Sequence, residues 1–265
     1  MISIIYRTYR PGGFDILADS LKNQTMQDYE LIVVDDYKPD RKKIIKDYLG
    51  EQNVNVAHVV PSKEKCFPEL PFNQNNQINT GILLSKGDIV IIYDDYTWVP
   101  PDHLEKFLNQ KDKLKENYCI TPINRMLADH RNRNNDGLIS IYDTPQIGSP
   151  LINNCTFEFW HIPEVFEVGG TAFPRGLLEE VNGFPECYDL YPSGLWRGIY
   201  KKMEGKAKFF VDRNIVTEMI NHRGWKPKEL WHCAHMSKKA EYYSTAQAEH
   251  DIERENCFKL SKKVD

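Results

Sequence analysis

Gly87-Asp88-Ile89-Val90-Ile91-Ile92-Tyr93-Asp94-Asp95-Tyr96 sets four consecutive β-branched residues between Asp88 and Tyr93. An unbroken apolar run of this length suits a strand buried on both faces, the kind found at the centre of a parallel sheet. It stops at two adjacent carboxylates, with Pro100-Pro101 and an amphipathic segment beyond them. Open α/β sheets bind ligands at the carboxyl ends of their strands, so Asp94 and Asp95 arrive where a ligand is expected. Two carboxylates side by side repel unless a cation or ligand donors share the site. A divalent ion carrying a diphosphate meets that need, because Mg²⁺ and Mn²⁺ take a few carboxylates together with phosphate oxygens. The plainer alternative has Asp94 capping the following helix and Asp95 solvated.

Working outward, the same pattern repeats. Ser3-Ile4-Ile5-Tyr6 reads as a short strand, closed by Arg7-Thr8-Tyr9-Arg10-Pro11-Gly12-Gly13. Phe14 to Lys22 has helical spacing (Phe14, Leu17, Ala18, Leu21). Glu30-Leu31-Ile32-Val33-Val34 is a second buried strand that again ends in paired acids, Asp35 and Asp36. A helix from Pro39 to Leu49, a strand from Val54 to Val60, a surface loop from Pro61 to Pro71 and a helix from Asn73 to Ser85 follow, the last closed by Gly87. Alternating strands and helices with short connections imply parallel crossovers and a Rossmann-like half over residues 1–97.

Beyond Asp95 the pattern changes. Pro101 to Glu116 reads as one helix, and Tyr118–Thr121 and Leu138–Tyr142 as strands on either side of a polar loop at Asp129–Asp136. Cys155 to Val168 is rich in rings and carboxylates, including Glu158, Trp160, His161 and Glu164. Gly169-Gly170 leads to a helix near Arg175–Val181 that stops at Asn182-Gly183; a further helix runs from Leu195 to Met203 and ends at Gly205. Phe209 to Ile220 is a strand pair or one long strand, and the charged tail from Ser237 to Lys263 is helical in propensity. These boundaries give three regions: 1–97, 98–222 and a C-terminal tail, 223–265.

Composition narrows the function. With 41% hydrophobic and 27% charged residues, the 265-residue chain is of ordinary globular type. A formal charge of −4 argues against nucleic acid as the main partner. No apolar run approaches the ~18–20 residues that span a bilayer, so no integral membrane segment is expected. The first strand starts at Ile2, leaving no room for a signal peptide, and the six cysteines form no CxxC. Reduced thiols and a cytoplasmic location are the expectation.

The first hundred residues resemble the family-two glycosyltransferases of GT-A fold. The blocks that carry the resemblance are Ile2-Ser3-Ile4-Ile5 through Thr8-Tyr9-Arg10, Ser20-Leu21 with Gln24-Thr25, and Tyr29 through Asp36. Ile78-Asn79-Thr80-Gly81, Lys86-Gly87-Asp88-Ile89, Tyr93-Asp94-Asp95 and Pro101-Asp102-His103-Leu104 follow in order. Gly169-Gly170, Arg175 and Leu178 through Phe184 look like the family's acceptor-side segment. The resemblance implies a metal-dependent, inverting transfer of a sugar from a nucleotide-sugar donor, a UDP-sugar, to a glycan or glycoconjugate acceptor. It implies that Asp36 accepts the uracil imide N–H, that Thr8 and Tyr9 hold the base, with Arg10 also among the nucleotide-binding residues, and that Asp94 binds the ribose hydroxyls. Asp95 would hold the Mn²⁺ or Mg²⁺ that bridges the phosphates, with His222 near it. Asn79 and Gly81 would shape a helix packed beneath the site.

Two features depart from the family. Tyr96 stands where a third acid is usual, and Tyr191 and Pro192 stand where inverting members carry a Glu-Asp pair. The nearest carboxylates are Asp189 and Glu186, and Asp189 is the leading candidate for the base that deprotonates the acceptor. Glu186 follows, then Glu158 and Glu164, and Asp189 as a loop or capping residue is the competing interpretation. His232 and His235 flank one cysteine, too few ligands for a zinc site. Two rival functions stay open: a non-catalytic nucleotide-sugar or carbohydrate-binding module, and a sugar-phosphate nucleotidyltransferase, whose Gly-rich triphosphate loop Arg7–Gly13 does not match.

Overall fold

The computed structural model describes residues 1–8, 14–35, 43, 55–59, 74–94, 97–127, 155–159, 169–184 and 192–220. In chain order the elements are β1 (Ile2–Thr8), α1 (Phe14–Lys22), β2 (Tyr29–Asp35), β3 (Asn55–Val59), α2 (Gln74–Leu84), β4 (Ile89–Tyr93) and β5 (Thr97–Trp98). Then come α3 (His103–Leu108), α4 (Lys111–Lys115), β6 (Tyr118–Leu127), β7 (Cys155–Phe159), β8 (Ala172–Pro174), α5 (Arg175–Glu180), α6 (Pro192–Met203) and β9 (Lys208–Ile220). The expected helix at Pro39–Leu49, strand at Leu138–Tyr142, both polar loops and the tail lie outside the described residues.

All nine strands join one sheet in the order β3-β2-β1-β4-β8-β6-β9-β5, with β7 on β6. β1 pairs in parallel with β2 and β4, and β2 with β3, which is the expected Rossmann-like half. The two-sided apolar strands feed two cores, because alternate residues point to opposite faces. Ile2, Ile4, Tyr6, Leu31, Val33, Ile91 and Tyr93 pack with α1, α3 and α4. Ile5, Ile32, Val34, Val90 and Ile92 pack with α2, α5 and α6. Both faces are therefore covered by helices. Among the described residues no helix is long and apolar enough to cross a membrane.

Several boundaries differ from the sequence expectation, most for a non-local reason. The helix expected over Pro101–Glu116 is two short helices, and the break at Gln110 coincides with its side chain donating 2.8 Å to Asp212 Oδ2 of β9. The strand expected to end at Thr121 runs on to Leu127 through Pro122, which is tolerated because the β6–β9 register shifts between Pro122 and Ile123. β9 is one long strand, not a pair, and the residues skipped by that shift follow Asp212, whose Oδ1 accepts from the Asn214 backbone N–H at 2.9 Å. α6 begins at Pro192, three residues ahead of expectation, as proline's fixed φ and missing N–H suit a first helical turn. The short antiparallel strands β5, β7 and β8 were not expected as strands; at two to five residues, their pairing partners define them more than their own composition does.

His103 is a buried ionisable group in the first core, 5.0 Å from the Phe107 ring and 5.9 Å from that of Tyr93. Burial, opposed by a smaller effect of the Val216 backbone, pushes its pKa down to about 3. Lys106 and Asp102 act on it in opposite directions. Unfolding frees the imidazole to take a proton below about pH 6.5, while the folded ring stays neutral to about pH 3. In that window the unfolded state binds more protons, so stability falls as pH falls. The contribution amounts to about 2 kcal/mol lost by pH 5. His103→Leu should flatten the decline in urea midpoint between pH 7 and 5; an unchanged slope would show that the ring titrates normally.

Candidate functional site

The chain leaves β1 for β2 on one side and returns with β4 on the other, so the strand order reverses at β1. A crevice forms outside the carboxyl ends of strands at such a switch point. Thr8 of β1 lies opposite Asp35 of β2, and Tyr6 lies opposite Tyr93 of β4, so Asp94 follows directly beside Arg7. Thr8 and Asp35 are each 1% exposed.

Arg7 Nε sits 2.5 Å from Asp94 Oδ1, with the side chains 10% and 22% exposed. Asp94 is therefore not a helix cap: its carboxylate turns back to β1, while α3 has Asp102 at its N-cap with no side-chain capping bond. The Asp94 backbone carbonyl accepts from Thr97 Oγ1 at 2.8 Å, which ties the end of β4 to the start of β5. Sequence reading placed Arg7 only in the run that closes the first strand. The clue was a charged residue directly after the apolar run Ile4-Ile5-Tyr6, since a charge entering a buried strand has to be paired.

Gln77 of α2 closes the crevice floor. Its amide donates to the Thr8 carbonyl at 2.9 Å and the Val34 carbonyl at 3.3 Å, satisfying acceptors where the β1 and β2 ladders run out. One half-turn on, Asn79 is fully buried and pairs both ways with the Phe184 backbone: Nδ2 donates to the carbonyl and Oδ1 accepts the N–H, each at 2.8 Å. A Cβ on Gly81 would fall 2.5 Å from Ile5 Cγ2, so α2 lies tight against β1 only because that position is glycine. Asn79 and Gly81 thus shape the helix under the crevice, as expected. The turn at Asn182-Gly183 also holds: both have positive φ (61° and 67°), and the Gly183 N–H closes α5 on Leu178 at 2.8 Å.

Tyr9, Arg10, Asp36 and Asp95 directly follow described crevice residues but lie outside the described set themselves, as do Glu186, Asp189 and His222. Trp160, His161 and Glu164 also fall outside it, and Glu158 is placed by its backbone in β7, opposite Arg125. Among the described residues no group of three or more His, Cys, Asp or Glu side chains could hold a metal ion. Asp94, the one described acid of the central pair, already has its charge answered by the Arg7 guanidinium.

The fold defines an α/β protein with a crevice at the switch point of a helix-covered sheet. The chain belongs to glycosyl transferase family 2, whose pattern it matches over residues 15–160. No curated protein sequence matches it significantly. Solved structures similar to it share the GT-A fold. S. aureus TarS is 17% identical with a TM-score of 0.55, over 88% of this chain and 38% of that one. TarS 1-349 in complex with UDP-GlcNAc is 15% identical with a TM-score of 0.55, over 87% and 60%. GalNAc-T7 with UDP, GalNAc and Mn²⁺ is 13% identical with a TM-score of 0.61, over 98% and 55%. The chain thus spans between about two fifths and three fifths of the length of these proteins.

Proposed function

We propose that this protein is a glycosyltransferase that moves a sugar from a UDP-linked donor to a hydroxyl of a glycan or glycoconjugate, with inversion at the anomeric carbon. The observation that carries the proposal is the gathering of Thr8, Asp35 and the Arg7–Asp94 pair at the switch point of a family-two sheet. The UDP-GlcNAc held by TarS and the UDP held by GalNAc-T7 support the choice of donor. Residues 1–97 would bind the donor and 98–222 would complete the acceptor side. A cytoplasmic setting is supported by six cysteines without CxxC spacing.

In this reading Asp36 accepts the uracil imide N–H, Thr8 and Tyr9 hold the base, and Arg10 is a further nucleotide-binding residue. Asp94 takes the ribose hydroxyls. Asp95, with His222, would hold Mn²⁺ or Mg²⁺, an ion that neutralises charge on the departing diphosphate when bound. Asp189 accepts the acceptor's hydroxyl proton as that oxygen bonds to the anomeric carbon. The bond from that carbon to the diphosphate breaks, and its electron pair leaves with UDP. Glu186 is the second candidate for the base. The described flanks support placing them near the crevice. Asn79 anchors Phe184 half a turn from Gln77, and α6 begins at Pro192, so seven residues join the two points.

A specific observation keeps a second reading in view. Pro192 is the first residue of α6, so neither it nor Tyr191 supplies the acid pair of inverting members, which would suit a binding module without catalysis. Incubating the protein with a panel of UDP-sugars and Mn²⁺ and following slow UDP release separates the two. A transferase hydrolyses its own donor, whereas a module is stabilised by it and releases no UDP. Asp95→Ala tests the cation. Wild-type UDP affinity should rise about tenfold or more when Mn²⁺ is added, and the variant should show no such rise in calorimetry. A variant that kept the full Mn²⁺ response would remove Asp95 from the ion's site.

A further inference from the structure

We propose that Arg7 is a positioning residue for donor recognition: its guanidinium orients the Asp94 carboxylate so that the enzyme distinguishes a ribose bearing hydroxyls from one without. The inference rests on the donor reading above and adds a residue to it. Three observations lead there.

First, Arg7 Nε meets the Asp94 carboxylate at Oδ1, 2.5 Å away. That oxygen is itself buried, while the Asp94 side chain stays 22% exposed, so its accessible part lies away from Oδ1. The contact is a close ion pair without hydrogen-bond geometry, so the carboxylate is drawn towards Arg7 at one end by charge and is open to a ligand hydroxyl at the other. Second, the residues on either side of the pair are fixed. Gln77 ties down the Thr8 carbonyl and Thr97 ties down the Asp94 carbonyl, so both members of the pair stand on or beside hydrogen-bonded backbone. Third, stability is a weak reason for the pair. Its neighbours Ile4, Ile5 and Tyr6 are buried and apolar, and a well-packed apolar residue commonly replaces a buried ion pair without loss. A charge retained at that point of β1 serves Asp94.

The test is calorimetric titration of the full chain with UDP and with 2′,3′-dideoxy-UDP, with Mn²⁺ present throughout, alongside thermal melts. Hydrogen bonds to a charged group discriminate by about tenfold or more, so wild type should prefer UDP by about that factor. Asp94→Asn and Arg7→Gln should each bring the preference to within about twofold of unity, and the double variant should go no further. That last result marks action through a single carboxylate. Arg7→Lys keeps the charge but not the planar guanidinium, and should give an intermediate preference; it also serves if Arg7→Gln does not fold. A wild-type preference retained in Arg7→Gln, or in Arg7→Lys where that is the variant read, overturns the proposal, because a merely structural pair would alter melting and leave ribose discrimination intact. Wild type that binds both nucleotides equally overturns it as well, while leaving UDP as donor. Wild type that binds neither defeats the donor reading itself.

Discussion

Asp189→Asn is expected to slow sugar transfer by about 10²–10⁴-fold, the usual loss when a general base is removed, while UDP binding stays within about twofold of wild type. The amide keeps the size and most hydrogen bonds of the carboxylate but cannot take the acceptor's proton. The split between chemistry and binding follows from position. The residues proposed for the donor are at or just beyond the ends of β1, β2 and β4 in sequence, whereas position 189 belongs to the segment between Phe184 and Pro192. Single-turnover transfer with saturating donor isolates the step. Full activity in this variant would pass the role to Glu186, and loss of UDP affinity in step with activity would mark Asp189 as a residue that shapes the loop.

Gly87→Ala is expected to cost the fold about 3–5 kcal/mol, combining overpacking of about 1–3 kcal/mol with about 1.5–3 kcal/mol for a lost hydrogen bond to a carboxylate. A Cβ there would meet the Met1 carbonyl oxygen at 2.7 Å and the Ser3 amide nitrogen and Oγ at 2.8 Å. Two of those atoms are backbone next to or within β1, a strand held on both sides, and have nowhere to go. Relief would require the turn to back away, and that turn feeds a buried carboxylate. Glu30, 3% exposed, accepts from Ser3 Oγ at 2.5 Å and from the Lys86 N–H at 2.6 Å, while the Gly87 N–H donates to Ser3 Oγ at 2.7 Å. Moving residues 86 and 87 unpicks two of the three bonds and leaves Glu30 with Ser3 Oγ alone. Against a typical total of 5–15 kcal/mol, such a loss leaves little folded margin. Urea denaturation should show a large fall in midpoint; a midpoint within the scatter of wild type would show that the turn has slack.

Gly87 also illustrates what sequence reading saw and what it mistook. Its position just after α2 suggested a helix stop, yet α2 ends at Leu84 and the glycine is required by the close approach of β1. α1, by contrast, occupies the expected span, Phe14 to Lys22, because its apolar spacing is a local property. The same holds for the helix end at Asn182-Gly183, written into residues that tolerate a positive φ. Pro192 was harder, since a proline marks a boundary without saying on which side the helix lies.

The apolar runs Ile2–Tyr6, Leu31–Val34 and Ile89–Tyr93 determined by themselves that there would be a buried parallel sheet, and the acids following two of them mark the strand ends to which the proposal assigns the donor. β-branched residues in unbroken succession favour one local conformation and demand burial on both faces, whatever lies elsewhere in the chain. That Asp94 answers to Arg7, that Asn79 holds Phe184 and that Gln110 breaks a helix to reach Asp212 was decided only by the tertiary structure. Each of those pairings joins segments far apart in the chain, and a charge or an amide acquires its partner only when strand register and helix packing bring the two within hydrogen-bonding distance.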